Sequence, residues 1–197
     1  MATSEATHEV HRTATGLDNR KLGMWAFLGS ECLFFGALIT AYLLYRNSST
    51  QGPYQSDVYD IPFTSVSSFV LLMSSLTMVL ALAAIQRGDH QKLRVWILAT
   101  AFLGMTFLGG QVFEFTVFVH EGLTVTRNVF GSSFFVLTGF HGLHVTIGVL
   151  MLLQLFGMST AGRLPQEQSL RVELVGLYWH FVDIVWVIIF TVVYLIP

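Results

Sequence analysis

The sequence is poor in cysteine, proline and charged residues. It contains one cysteine, Cys32, among 197 residues, which excludes an intrachain disulfide and a metal site built from several cysteines. Charged residues make up only 11% of the chain and four residues are proline, whereas 53% are hydrophobic. This composition is far from that of a soluble domain and is typical of a membrane protein. The net charge of −2 gives no sign of nucleic-acid binding.

Long apolar stretches account for most of the chain, at 22–45, 63–85, 95–119, 129–158 and 174–196. Each is longer than the roughly 20 residues that a helix needs to cross a bilayer. Alternation with period two is absent, so a transmembrane barrel is not favoured. The sequence predicts an all-α integral membrane bundle of five transmembrane helices in one domain at 22–197. We expect residues 1–21 to form a retained, polar cytoplasmic tail, and Cys32 to pack as a small buried hydrophobe.

The basic residues predict the orientation of this bundle. Eight of the ten lie on one side of the predicted membrane, namely Arg12, Arg20, Lys21, Arg87, Lys92, Arg94, Arg163 and Arg171. Only Arg46 and Arg127 lie on the other side. The positive-inside rule therefore predicts a cytoplasmic N-terminus and an external C-terminus in a bacterial inner membrane. The segment at 47–62 is then an external loop, and the small-residue stripe Thr138, Gly142 and Thr146 indicates close helix packing.

Ionisable side chains at membrane depth are the candidates for chemistry, because an unpaired charge there is costly. They are Glu31, Glu114, His141, His144, His180 and Asp183. Glu31 and Asp183 are predicted to lie in the same layer of the bilayer, where they could be neighbours. His180 and Asp183 share a helix face and are expected to form a packing and hydrogen-bond pair. Glu114 lies nearer the outer surface, where partial solvation is the alternative to burial.

The two closely spaced histidines raise the question of a haem or metal site. His141 and His144 lie on neighbouring turns of one helix and cannot occupy opposite axial positions of one iron. A copper or zinc site would need further ligands in the same layer, and Glu114 is the nearest formal candidate. We therefore expect no metal or haem on this chain, and we expect both histidines to be hydrogen-bonded within a helix interface.

Four motifs carry a resemblance to a known family. They are WAFLGSECLFF at 25–35, GQVFEF at 110–115, FFVLTGFHGLHV at 134–145 and YWHFVDIVW at 178–186. Together they resemble the successive signatures of subunit III of haem-copper terminal oxidases, and the resemblance covers residue 20 to the C-terminus. The chain is similar to the five-span bacterial form. It lacks the first two helices of the seven-span mitochondrial form, which build that form's lipid-filled cleft.

The resemblance implies an accessory subunit with no redox centre of its own. Such a subunit packs on subunit I, which carries the haems and copper, and belongs to a complex that also contains subunit II. Members of the family are associated with phospholipid, and Glu31 matches the family's buried, carbodiimide-reactive carboxylate. Because burial disfavours the charged form, we expect Glu31 to be protonated and hydrogen-bonded to a neighbouring helix, and a direct role in proton handling is the alternative.

Several functions stay open at this point. The motif at 178–183 favours a cytochrome c oxidase, in which this chain would stabilise subunit I and support proton uptake during aerobic respiration. A quinol oxidase subunit III and a related accessory subunit of nitric oxide reductase systems are the alternatives within the family. An independent transporter is the alternative from another class, but the sequence shows neither an inverted repeat nor broken helices.

Overall fold

The computed structural model describes residues 18–46, 61–125 and 129–196. These residues are helical apart from short connections. The helices are α1 at Asn19–Tyr45, α2 at Ile61–Gln86, α3 at His90–His120, α4 at Val129–Thr160 and α5 at Ser169–Phe190. A single 3₁₀ turn, Gln166–Gln168, precedes α5, and a π-helical turn, Thr191–Leu195, follows it. Within these described ranges, five segments are long and apolar enough to cross a membrane, which confirms the predicted fold class.

The ends of the helices follow from local sequence signals. Asp89 caps the start of α3, because its side chain accepts a hydrogen bond from the backbone N–H of Lys92 at 3.0 Å. At the end of α2, Gly88 has a φ of +73°, which only glycine adopts easily, and the amide of Asp89 returns to the carbonyl of Ala84. The ends of α3 and α4 repeat this arrangement with Gly122 and Gly162. Tight links of this kind bring successive helices together as antiparallel neighbours.

The helices form a closed ring in the order α1, α4, α3, α2, α5, and α4 also contacts α5 across it. The first helix therefore packs against α4 and α5, which lie far from it in the sequence. The antiparallel pairing of α2 with α5 is held by two indole N–H groups. Trp179 donates to Ser74 Oγ and Trp186 donates to Ser68 Oγ, each at 2.8 Å. Both tryptophans are buried.

Glycines let these helices approach one another at the Trp179 ring. A Cβ atom placed on Gly104 of α3 would lie 2.5 Å from Trp179 Cη2, and one on Gly148 of α4 would lie 2.8 Å from Trp179 Cε3. The ring thus occupies a slot that two glycines leave open. In the predicted stripe, Gly142 faces the Gln111 side chain and Thr138 is buried, but Thr146 is exposed, so only part of the stripe faces a helix.

One prediction is wrong, and two others fall mostly outside the described residues. Cys32 was predicted to be buried, but it is exposed on α1, because this helix buries only a narrow face against α4 and α5. Most of the predicted tail at 1–21 and the loop at 47–62 lie outside the described residues.

Candidate functional site

Five of the six ionisable side chains singled out in the sequence form three separate groups, each at a different helix contact, and His141 stands apart from them. Glu31 of α1 lies beside His144 of α4. His180 and Asp183 of α5 meet Ser75 of α2. Glu114 of α3 meets Thr64 of α2.

Glu31 and His144 form a partly buried pair. His144 Nδ1 lies 2.7 Å from the carbonyl oxygen of Phe140, one turn earlier on α4. A carbonyl only accepts, so Nδ1 carries a hydrogen. The other nitrogen, Nε2, lies 3.3 Å from Glu31 Oε2, within ion-pair distance, although Oε2 is buried without a hydrogen bond of good geometry. The two side chains are therefore neighbours within ion-pair reach that no well-formed hydrogen bond joins.

His141 is enclosed by aromatic rings. It is fully buried, its ring stacks on Trp186 with centroids 4.9 Å apart, and Phe107 meets it edge-on at 5.9 Å. Neither ring nitrogen has a hydrogen-bond partner within the described part of the chain. The expectation that both histidines are hydrogen-bonded within a helix interface therefore fails for His141 among the described residues, whereas His144 has a hydrogen bond. His144 bonds within its own helix, and His141 is held by ring packing alone.

Ser75 joins His180 and Asp183. Its hydroxyl donates to Asp183 Oδ2 and lies 3.0 Å from His180 Nδ1. Asp183 is only 3% exposed, and its second oxygen, Oδ1, is buried without a partner among the described residues. The predicted hydrogen bond between His180 and Asp183 is not seen in the described structure, where each of the two meets Ser75 of another helix.

Glu114 is buried near the predicted outer end of the bundle. Thr64 Oγ1 donates to Glu114 Oε1 at 2.6 Å, and the Tyr194 hydroxyl is also a hydrogen-bond neighbour of this carboxyl. The π-helical turn at the end of the chain turns Val193 and Tyr194 inward, so that both are buried. Of the two alternatives for Glu114, burial is correct within this chain, since the side chain is 6% exposed.

The structure does not bring Glu31 and Asp183 together. Glu31 faces α4, whereas Asp183 faces α2, and neither carboxyl contacts the other. Across 18–46, 61–125 and 129–196, no three histidine, cysteine or acidic side chains converge in a way that could hold a metal ion. Two aromatic rings of α1, Phe34 and Phe35, pack against His144, the neighbour of Glu31.

The serine and threonine hydroxyls that bond to these buried side chains were not predicted from the sequence. Thr64, Ser68 and Ser75 all lie on α2 and face α3 or α5. Small polar residues recurring about every fourth position of an apolar helix are a signal of helix contacts, and this signal could have found them. Tyr178, whose hydroxyl donates to the backbone oxygen of His144 at 3.1 Å, was seen only as part of a motif.

Comparisons with known proteins place this arrangement in a family. The family model described as cytochrome c oxidase subunit III matches residues 2–196. The chain belongs to the cytochrome c oxidase subunit III family. It is 38% identical over 193 residues to cytochrome c oxidase subunit 3 of Bacillus sp. (strain PS3), covering 98% of this chain and 93% of that protein.

Other relatives of this chain are subunits of quinol oxidases by name. Quinol oxidase subunit 3 of Bacillus subtilis is 37% identical over 175 residues, covering 88% of this chain and 85% of that protein. Cytochrome bo(3) ubiquinol oxidase subunit 3 of Pseudomonas aeruginosa is 34% identical over 191 residues, covering 97% and 91%. Both the leading interpretation and its quinol alternative fit these relatives, and the similarity does not separate them.

Proposed function

We propose that this chain is an accessory subunit of a proton-pumping terminal oxidase in a bacterial inner membrane, that it packs on subunit I, and that cytochrome c is the electron donor. Membership of the subunit III family supports the first part of this proposal. The motif at 178–183 supports cytochrome c. Quinol is the second candidate donor, because quinol oxidase subunits are similar to this chain to nearly the same degree.

The contacts of the two α4 histidines, His141 and His144, are the main support for the accessory role. The His141 nitrogens are closed off by Phe107 and Trp186, and His144 uses Nδ1 on a carbonyl of its own helix and turns Nε2 towards Glu31. A bis-histidine haem needs a free nitrogen on each of two facing helices. In this chain His141 packs against aromatic rings and His144 faces the Glu31 carboxyl. We therefore assign the haems and copper to partner subunits.

Isolation of the chain from its complex tests this assignment. The oxidase is purified from native membranes and dissociated, and the separated chain is examined by absorption spectroscopy and elemental analysis. We expect a Soret band and copper only in the fraction that contains subunit I. A stoichiometric Soret band on this chain would overturn the accessory role.

We further propose that Glu31 supports the lifetime of the oxidase and not its individual turnovers. No lysine or arginine lies within the apolar stretch at 22–45, so the carboxyl has no cation of this stretch to pair with. The neutral form, or a proton shared with His144, therefore costs less free energy than an isolated charge. The variant Glu31→Ala is expected to keep a normal first turnover and to lose activity sooner during sustained turnover, and Glu31→Gln is the isosteric control.

Stopped-flow oxidation and a time course of oxygen consumption separate the two effects. If Glu31→Ala assembled normally but stopped the first turnover, a direct role in proton transfer would replace the proposal. The electron donor is decided separately, by whether the co-purified subunit II contains a dinuclear copper site.

A further inference from the structure

Among the described residues, the fully exposed serine and threonine hydroxyl groups within the spans follow one rule. Each donates to a backbone carbonyl three or four residues earlier on its own helix, as do Ser30, Thr40, Ser65, Thr106, Thr116, Thr146 and Thr191. A hydroxyl that bonds its own helix needs nothing from its surroundings. These positions therefore suit contact with lipid chains, which offer no hydrogen bond.

The partly exposed Ser75 bonds a neighbouring helix instead. Its hydroxyl reaches across to α5, where it donates to Asp183 Oδ2. A hydroxyl has one hydrogen, so while Ser75 donates it to an ionised Asp183, Nδ1 of His180 is the donor in the 3.0 Å contact with Ser75 Oγ. The neutral imidazole then has its hydrogen on Nδ1, and Nε2 of His180 carries a lone pair.

This lone pair lies at the surface of the chain. Nε2 of His180 has no hydrogen bond within the described residues, and it is not among their buried, unsatisfied atoms. Both His180 and Ser75 lie deep within their helices. His180 lies about 16 Å along α5 from Ser169, and Ser75 lies about 16 Å along α2 from Gln86. Both positions are near the middle of a hydrocarbon layer about 30 Å thick.

Apolar side chains surround this polar centre. Leu72 and Val79 lie three or four residues from Ser75 on α2, and Ile184 and Val187 lie four and seven residues from His180 on α5. All four are exposed, between 41% and 60% of their surface. We call this surface, made of Leu72, Ser75, Val79, His180, Ile184 and Val187, the α2–α5 face.

A hydrogen-bond acceptor surrounded by exposed apolar residues at mid-membrane depth fits protein better than lipid. We propose that the α2–α5 face binds a transmembrane helix of a partner oxidase subunit, and that this helix places a hydrogen-bond donor on His180 Nε2. The partner's identity as an oxidase subunit rests on the proposed function. The face itself and the donor follow from the contacts of Ser75 and His180.

Site-specific photocrosslinking in native membranes tests the location of the partner. A benzophenone amino acid replaces Val79 or Ile184 on the α2–α5 face, and Phe102 or Val112 on the exposed surface of α3 as a matched control. After irradiation the oxidase is purified and its adducts are identified by mass spectrometry. We expect adducts with another oxidase subunit from the first two positions and none from the control positions.

The outcomes separate this proposal from the function on which it rests. If the chain co-purifies with the haem-bearing subunit but Val79 and Ile184 give only lipid adducts, or adducts with a second copy of this chain, the α2–α5 face is not the interface. If the chain does not co-purify with haem-bearing subunits at all, the proposed function fails.

Substitution of His180 tests the donor. His180→Phe keeps a ring and removes the acceptor, whereas His180→Gln keeps an acceptor, and Thr106→Val is a control that removes a hydroxyl bonded to its own helix. We expect His180→Phe to raise at least threefold the fraction of this chain lost from the complex during detergent washing, and His180→Gln to restore most of the retention. Equal retention in all three variants would refute the hydrogen bond.

Discussion

Substituting Gly104 by alanine tests the packing at the centre of the bundle. The added methyl group would lie 2.5 Å from Trp179 Cη2, 3.0 Å from Cζ2 and 3.1 Å from Val149 Cγ2. Carbon atoms in comfortable contact are about 3.5–4.0 Å apart, so the closest pair overlaps by about 1 Å. The indole cannot turn away, because Gly148 lies against it and its N–H is bonded to Ser74.

The size of the effect follows from three contributions. Overpacking of this kind costs about 1–3 kcal/mol. Displacing the ring also weakens its bond to Ser74, and side-chain hydrogen bonds between membrane helices average about 0.6 kcal/mol. Alanine improves the helix itself by about 0.5–1 kcal/mol. The control is Gly109→Ala on the same helix, where no atom lies within 4 Å of the new methyl group. Both variants gain the same helix stabilisation from alanine, so this gain cancels when their stabilities are compared. We therefore expect Gly104→Ala to be roughly 2–4 kcal/mol less stable than Gly109→Ala.

Unfolding of the purified chain by SDS in mild detergent micelles, followed by far-UV circular dichroism, measures this difference. Replacing Trp179 by phenylalanine removes the atoms that clash, so the double variant should lose less stability than the two single changes added together. If Gly104→Ala unfolded at the same SDS fraction as Gly109→Ala, the slot described for Trp179 would be wrong.

Three further outcomes are expected. His141→Phe should leave the free energy of unfolding unchanged or raise it by up to about 1–3 kcal/mol, since it removes buried groups without partners, and a large loss in the SDS titration would show that His141 has a hidden bond. The hydrogen bond from the Lys92 backbone holds the pKa of Asp89 below its usual value of 3.8. The ionised Asp89 cap therefore stabilises α3 above about pH 3.8, and this stabilisation is lost as the pH falls through the lowered pKa. Asp89→Asn should make the melting temperature less dependent on pH in this acid range. Protease-accessible tags should report the cytoplasm at the N-terminus and at Asp89 and the outside after Pro197, and the opposite pattern would reverse the orientation.

Much of the fold could be predicted because spanning a membrane is a local property. A helix satisfies its own backbone groups, so the number of spans follows from the length and continuity of each apolar run. The helix ends also depend on local sequence, since the glycines at 88, 122 and 162 end three of the helices with a positive φ. The family resemblance was equally readable, since its four motifs stand in order along the chain, and the match over residues 2–196 confirms it.

The partners of the polar residues could not be predicted in the same way. Glu31 and Asp183 were placed in one layer by counting residues, but their partners are His144 and Ser75 on different helices. His141 and His144 are three residues apart, yet one is enclosed by rings and the other meets a carboxyl. Spacing along a helix gives the angle between two side chains and leaves open which neighbour each of them meets.

The sequence alone therefore determined the five spans, the family and the short list of ionisable residues within the membrane. The tertiary structure decided how each helix is rotated about its axis. The physical reason is that lipid and protein interior are both apolar, so a membrane helix that is hydrophobic on every side does not reveal in its pattern which face is buried. Only the contacts between helices, such as Trp179 between Gly104 and Gly148, set that rotation and with it the partner of every buried polar group.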